Sequence, residues 1–231
     1  MSTDSTTSAM VVLETLLLER QSCRAFKSAV VPQGIIDRIV QAAQRTASDC
    51  NIQPWHVIIM GGAALDRLRH AMYERAASGT AAVWDIPPIG SYTGVYQERR
   101  RECGWGLYSA VGIQKGDRVA SHKQALENFR FFGAPHLALI TTHASLGARA
   151  LLDCGGYVAS FLLVAEALGV ATVAQASIAY RVDVIREQLT LPSDQHVVCG
   201  ISFGWAERAH VANSFRTTRA RVQDVVEFLS T

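Results

Sequence analysis

The chain carries no C-x-x-C pair, no P-loop and no G-x-G-x-x-G following an apolar strand. These gaps leave a zinc ribbon, a dithiol redox pair, a Walker nucleotide site and a Rossmann dinucleotide site without sequence support. Its five cysteines stand scattered at 23, 50, 103, 154 and 199. An odd, dispersed set fits a reducing cytoplasm better than a disulfide framework. The seven histidines include no H-x-x-x-H pair, so no metal site is expected. Charge is sparse, with 18% charged residues and a net charge of +2. Without a basic block, nothing favours nucleic acid as a partner. The first apolar run, from Val11 to Leu18, is interrupted by Glu14 and followed by Glu19. That reads as neither a signal peptide nor a membrane span.

Apolar residues, by contrast, make up 49% of 231 positions. That supports one substantial core, with surplus apolar surface inviting a large subunit interface. Residues 1–9 are expected to form a disordered tail, and 10–231 a single domain. Helical spacing predicts helices over 11–18, 33–46, 63–77, about 97–108, 117–132, 151–168, 182–189 and 222–229. Short apolar runs at 56–60, 136–141, 170–174 and 195–203 predict buried strands. The stretch 151–168 is apolar on nearly every side and reads as a central helix, packed against its own copy if the chain dimerises. Residues 78–95, rich in glycine, proline and aromatics, read as a long irregular loop of the kind that often forms a lid. Strands separated by helices, without hairpin signals, predict an α+β sandwich with a mixed sheet flanked by helices.

Gly200-Ile201-Ser202-Phe203-Gly204 matches the G-x-S-x-G nucleophile elbow literally. An elbow requires a helix directly after the serine and acid and histidine partners later in the chain. The residues after Trp205 lack a helical apolar period, and Glu207 and His210 are too close in sequence to be separate partners. The segment reads instead as a strand closing in a glycine turn.

Arg20-Gln21-Ser22-Cys23-Arg24-Ala25-Phe26 sets two guanidinium groups four residues apart around a serine hydroxyl. Guanidinium forks match phosphate oxygens, and a hydroxyl adds a donor. Alone, the stretch reads more simply as a basic helix end.

Its company gives it another reading. Arg20, Ser22, Arg24 and Phe26, then Ser48, Asn51, Gln53, Pro54 and Trp55, then Asn213, Arg216 and Arg219 occur in the order of three segments of the FMN-dependent nitroreductase family. From about Val11 to Leu229 the chain resembles that family, with Ala47 where a proline is usual. The resemblance implies a nitroreductase-like sandwich forming an intertwined homodimer with FMN at the subunit interface. It implies that Arg20, Ser22, Arg24 and Arg219 hold the FMN phosphate, that Arg216 belongs to the cofactor site, and that Ser48 and Asn51 reach the flavin of the other subunit. Asn128 would contact the flavin's pyrimidine edge. Ala176 and Ser177 would offer backbone N–H groups to N5 from a turn lacking the family's proline and glycine.

Residues 78–132 resemble an insertion found in a subgroup that includes nitrobenzoate reductases, through R-R-R-x-C-G-W-G-L-Y (99–108) and N-F-x-F-F-G-A-P (128–135). Trp84, Tyr96 and Trp105 would then stack on an aromatic substrate, and Arg100 would pair with an anionic substituent. The implied activity is NADH- or NADPH-dependent reduction of nitroaromatic compounds to hydroxylamines by ping-pong hydride transfer. A flavin reductase, a dehalogenase or a non-catalytic flavin binder on the same fold stays open.

Overall fold

The computed structural model describes residues 3–230, with side chains from residue 8 onward. In chain order the helices and strands are α1 Thr3–Glu19, α2 Gln33–Ala43, β1 Trp55–Gly61, α3 Gly62–Ala77, α4 Gly94–Ala110 and α5 Arg118–Leu126. They continue with β2 His136–His143, α6 Gly147–Ala167, β3 Ala171–Gln175, α7 Val182–Gln188 and β4 Gln195–Gly204. Short 3-10 turns punctuate them, among them Asp49–Asn51, Glu127–Gly133, Ala176–Tyr180 and Val211–Asn213.

The four strands form one sheet in the order β1-β2-β4-β3. All three pairings are antiparallel, which corrects the expected mixed sheet. Parallel pairing among the described residues is limited to two isolated bridges, Ser22 to Thr172 beside the edge strand β3 and Val83 to Arg181. Successive side chains of a strand face opposite sides. In β2, Ala138 and Ile140 therefore join a core with α2 and α6, while Leu137 and Leu139 join a second core with α3 and α7. The sheet is covered on both faces, and β2, apolar on both, runs through the middle.

α6 carries the first core. Ala150, Cys154, Tyr157, Phe161 and Ala165 recur at helical spacing and are buried against the sheet and α2. Its apolar character all round does not bring burial all round, because Leu152 is 80% exposed on the single chain. The thiols beneath it are inert: burial pushes Cys199 up to about 12, with Cys154 adding to the shift. His136 is likewise a core residue. Its Nε2 accepts from the Val31 amide at 3.0 Å, its ring stacks on Phe203, and burial pushes its pKa down.

Three predicted elements differ. α1 is helical from Thr3, so the tail reading of residues 1–9 fails over its described part; Met1 and Ser2 lie outside the described residues. The helix over 117–132 stops at Leu126, because Phe131 and Phe132 turn to positive φ and bury their rings. Residues 222–229 form only a 3-10 turn at Val222–Asp224. Phe228 and Leu229 are almost fully exposed, and a helix this short has no stability without a surface to pack on.

The G-x-S-x-G segment lies within and at the end of β4. Ser202 is fully buried and its Oγ donates to Gln175 Oε1 at 2.5 Å, so it is no nucleophile. A Cβ at Gly200 would stand 2.4 Å from Ile178 Cδ1, and one at Gly204 would stand 2.5 Å from Pro135 Cδ. Both glycines are there for close packing.

Candidate active site

The two arginine segments, 20–24 and 213–219, lie about 190 residues apart in sequence and meet through Asn213. This side chain is only 4% exposed. Its Oδ1 accepts from the Arg24 amide at 2.7 Å, and its Nδ2 donates to the carbonyls of Ala25 and Glu207, each at 2.9 Å. Its own carbonyl accepts from Arg216 Nη1 at 2.7 Å. One buried residue thus holds the Arg24 backbone through its side chain and the Arg216 guanidinium through its carbonyl. Ser22 is held against β3 by the Thr172 bridge, and the Cys23 amide donates to Thr172 O at 2.9 Å.

A groove of about 1070 Å³ runs beside this junction, lined by Gln21, Glu166, Ala171, Asn213 and Arg216 among others. Arg216 also lines a second cavity of about 650 Å³ with Arg219, Arg99 and Cys103. Arg24 faces a third, of about 560 Å³, with Lys123 and His210. Burial lowers the Arg24 pKa, and a guanidinium that cannot deprotonate in proteins gains from a nearby anion instead. Gln21 Oε1 is a buried acceptor without a partner and belongs to a residue lining the groove, where a hydroxyl donor would satisfy it. The donor set suits a phosphate ester carrying a polyol chain, so these residues fit the phosphate and ribityl parts of FMN.

Glu166, near the C-terminal end of α6, lines this groove with Glu19 and Glu207, and sequence reasoning missed it. Burial pushes its pKa up, Glu19 adds to this, and Arg20, Arg208 and Arg216 pull it back. Its signal in the sequence is slight: with Asp153 it is one of two acids inside a strongly apolar helix. A raised folded pKa gives stability that is present below the ordinary glutamate range and lost as pH rises through the folded value. Glu166→Gln, which keeps the neutral form, is therefore expected to match the parent near about pH 4 and to melt a few degrees higher near about pH 7. Thermal melts of the flavin-free proteins across that range check the sign; a variant that melts lower at neutral pH would show that attraction to the arginines outweighs burial.

The flavin-edge candidates meet at the C-terminal end of β3. Gln175, buried, donates from Nε2 to Asn128 O at 2.9 Å and to Asn128 Oδ1 at 3.3 Å. Ser177 Oγ donates to the same Oδ1 at 3.2 Å, and Asn128 Nδ2 donates to Ala125 O. Asn128 is thus pinned, with one amide hydrogen left over. Ala176 is exposed beside it. Gln175 was the unassigned member of this set: a polar residue ending an apolar strand is its only mark in the sequence.

Ser48 and Asn51 are not part of this gathering. Ser48 Oγ accepts from the Gln53 amide at 2.9 Å, closing a loop in which Cys50, Asn51 and Gln53 all have positive φ. Such conformations cost free energy and cluster at functional sites. The loop is tied to α6 at the other end, where the Asp49 amide donates to Asp153 Oδ2 at 3.2 Å. From Asp153 to Glu166 is 13 residues of one helix, or about 20 Å at 1.5 Å per residue. Within one chain the two halves of the expected site sit at opposite ends of α6.

Of the aromatic candidates, Trp105 meets Tyr108 edge-on at 5.9 Å, and Arg100 lies over the Tyr92 ring at 5.3 Å. Among the described residues no ring contact joins Trp84, Tyr96 and Trp105. Trp84 rides on a loop pinned by Asp85, which pairs with Arg186 at 3.0 Å and accepts from the Val197 amide at 2.8 Å.

Comparison with known proteins places the chain among its relatives. The chain is 34% identical to the nitroreductase NfnB of Mycolicibacterium smegmatis, over 93% of this chain and 92% of that one. It is 31% identical to a 4-nitrobenzoate reductase of Nocardioides sp., over 96% and 91% of the two chains. The crystal structure of the FMN-dependent nitroreductase NfnB from Mycobacterium smegmatis in complex with NADPH superposes with a TM-score of 0.92, at 32% identity, over 96% of this chain and all of that one. The model of the nitroreductase family matches residues 17–205, nearly the whole ordered sandwich, and the chain belongs to that family.

Proposed function

We propose that this protein is a homodimeric, cytoplasmic oxidoreductase that binds FMN and uses NADH or NADPH to reduce nitroaromatic compounds, among them nitrobenzoate-like ones. The observation that carries the reading is the tie of the Arg24 backbone and the Arg216 side chain through Asn213, with Arg20 and Arg216 acting on Glu166 and Arg219 following in the adjoining cavity.

When bound, FMN supplies the hydride relay between the nicotinamide and the acceptor. The chain's own residues bind and orient. Arg20, Ser22, Arg24, Arg216 and Arg219 hold the phosphate, and charge-assisted bonds contribute about 1.5–3 kcal/mol each. Asn128, locked by Gln175 and Ser177, presents its remaining amide hydrogen to the ring edge, with Ala176 and Ser177 beside N5. Trp84, Tyr96 and Trp105 would stack on the aromatic substrate and exclude water. Arg100, backed by Tyr92, meets an anionic substituent.

Ser48 and Asn51 come from the second copy. An antiparallel crossing of two α6 helices brings the Asp153 end of one copy to the Glu166 end of the other, reuniting the halves that one chain keeps about 20 Å apart. The same crossing covers Leu152, which the single chain leaves exposed. A chain that sediments as a monomer while holding FMN would remove the partner from the site.

Anaerobic addition of NADPH or NADH to the FMN-loaded protein is expected to bleach the flavin, and 4-nitrobenzoate is expected to restore its colour. Flavin that stays oxidised with both nicotinamides would reduce the protein to a flavin binder. Flavin that bleaches but is not reoxidised by nitro compounds would favour another acceptor class.

A further inference from the structure

The three consecutive arginines of α4 do not share a direction, since neighbours on a helix are about 100° apart. Arg100 turns to Tyr92. Arg99 instead lies on the face formed with Glu102, Cys103 and Gly106, which have the i, i+3, i+4, i+7 spacing of one helix side. This face is docked on the C-terminal segment. Glu102 accepts from Thr218 Oγ1 at 3.0 Å, and a Cβ at Gly106 would stand 2.2 Å from the Phe215 ring. α4 therefore lies directly on Phe215 with no room for a side chain between them.

The docking places Arg99 in the cavity of about 650 Å³ that Arg216 and Arg219 also line. Three guanidinium groups thus share one cavity with one carboxylate, Glu102. Among the described residues none of the three forms an ion pair. Arg216 and Arg219 use only Nη1, and only on neutral oxygens of Asn213, Phe215, Thr217 and Thr218. Phe215 and Val225 supply apolar wall, which strengthens charge interactions inside. Arg216 lines both this cavity and the groove beside Asn213. The cavity therefore adjoins the phosphate-binding arginines.

We infer that Arg99 is a phosphate ligand contributed by the α4 insertion, forming with Arg216 and Arg219 a three-guanidinium clamp for a phosphate monoester. The inference rests on the proposed flavin chemistry, which offers two such groups: the 5′-phosphate of FMN and the 2′-phosphate of NADPH. It also separates two jobs on adjacent residues, phosphate for Arg99 and substrate anion for Arg100.

The test compares Arg99→Gln with Arg101→Gln, which makes the same charge change elsewhere on the helix. Dissociation constants of the flavin-free proteins for FMN and for riboflavin are read by flavin fluorescence. KM for NADPH and for NADH is read on the FMN-loaded proteins. If the FMN phosphate is the ligand, Arg99→Gln weakens FMN by roughly tenfold or more and leaves riboflavin unchanged. If the NADPH phosphate is the ligand, KM for NADPH rises by a similar factor while KM for NADH does not. Either result supports the clamp. No selective loss on either phosphate, or an equal loss in Arg101→Gln, overturns it. Bleaching of the wild-type flavin by nicotinamide is a separate measurement, so failure of the functional reading is distinguishable from failure of the clamp.

Discussion

Arg20→Ala is expected to release FMN while leaving the fold intact. Arg20 is half-buried at the end of α1, and its backbone amide donates to Leu16 O. Its charge acts on Glu166, and Glu166 shares the groove with Arg216. In the flavin-free protein that attraction is partly solvated and contributes little, as with other exposed pairs. Against a phosphate dianion the same guanidinium contributes a charge-assisted bond of about 1.5–3 kcal/mol, so its loss should weaken FMN about 10- to 150-fold. The flavin-free melting temperature should move within the scatter of ordinary surface substitutions. Fluorescence titration with FMN and thermal melts, run on the same preparations, separate the two effects. A variant that retains flavin at parental affinity would leave Arg20 as a mere counter-charge to Glu166. One that loses flavin and stability together would make it a folding residue.

Phe161→Ala carries the opposite signature: a large loss of stability, with flavin lost only as a consequence. Phe161 is fully buried at the centre of α6 and meets Phe203 of β4 edge-on at 5.6 Å. It sits in the core made with α2, Tyr157 and Ile201. Truncating a buried Phe removes its transfer free energy and leaves a cavity, together about 3–5 kcal/mol. For a chain of this size that lowers the melting temperature by about 6–20 °C. Added FMN should raise the variant's melting temperature, because a ligand that binds only the folded state stabilises it by mass action. Chemical unfolding with and without FMN reads both terms. A loss below about 1 kcal/mol would mean that α6 and the sheet close over the vacancy.

Most of the sandwich was legible in the sequence because its elements differ in period. β2 alternates between two cores and α6 repeats every three to four residues; both patterns survive without knowledge of the partners. Residues 222–229 have a similar apolar period and are not helical, since periodicity states which side wants burial and not whether a surface is there. The break at Phe131 was illegible for another reason. Two bulky residues take positive φ because burying both rings outweighs the local cost, a tertiary decision against local preference. Arg69 helps hold the bend by donating to the carbonyls of Arg130 and Ala134.

The sequence by itself determined the residue chemistry: arginines of a kind that suit phosphate, in an apolar α+β chain without P-loop, Rossmann or metal motifs and with a G-x-S-x-G lacking its partners. Through the family resemblance it named Arg20, Arg24, Arg216 and Arg219, because a motif's residue types and their order along the chain are one-dimensional properties. Only the tertiary structure decided which of these meet. Asn213 joins Arg24 to Arg216, Glu166 enters the groove from α6, and Phe215 against Gly106 docks α4 so that Arg99 enters the adjoining cavity with Arg216 and Arg219. It also showed that Ser48 and Asn51 lie a helix length away from that cluster within one chain. The physical reason is common to all four. Which groups share a cavity depends on contacts between segments up to about 190 residues apart, and those contacts are fixed by packing rather than by spacing.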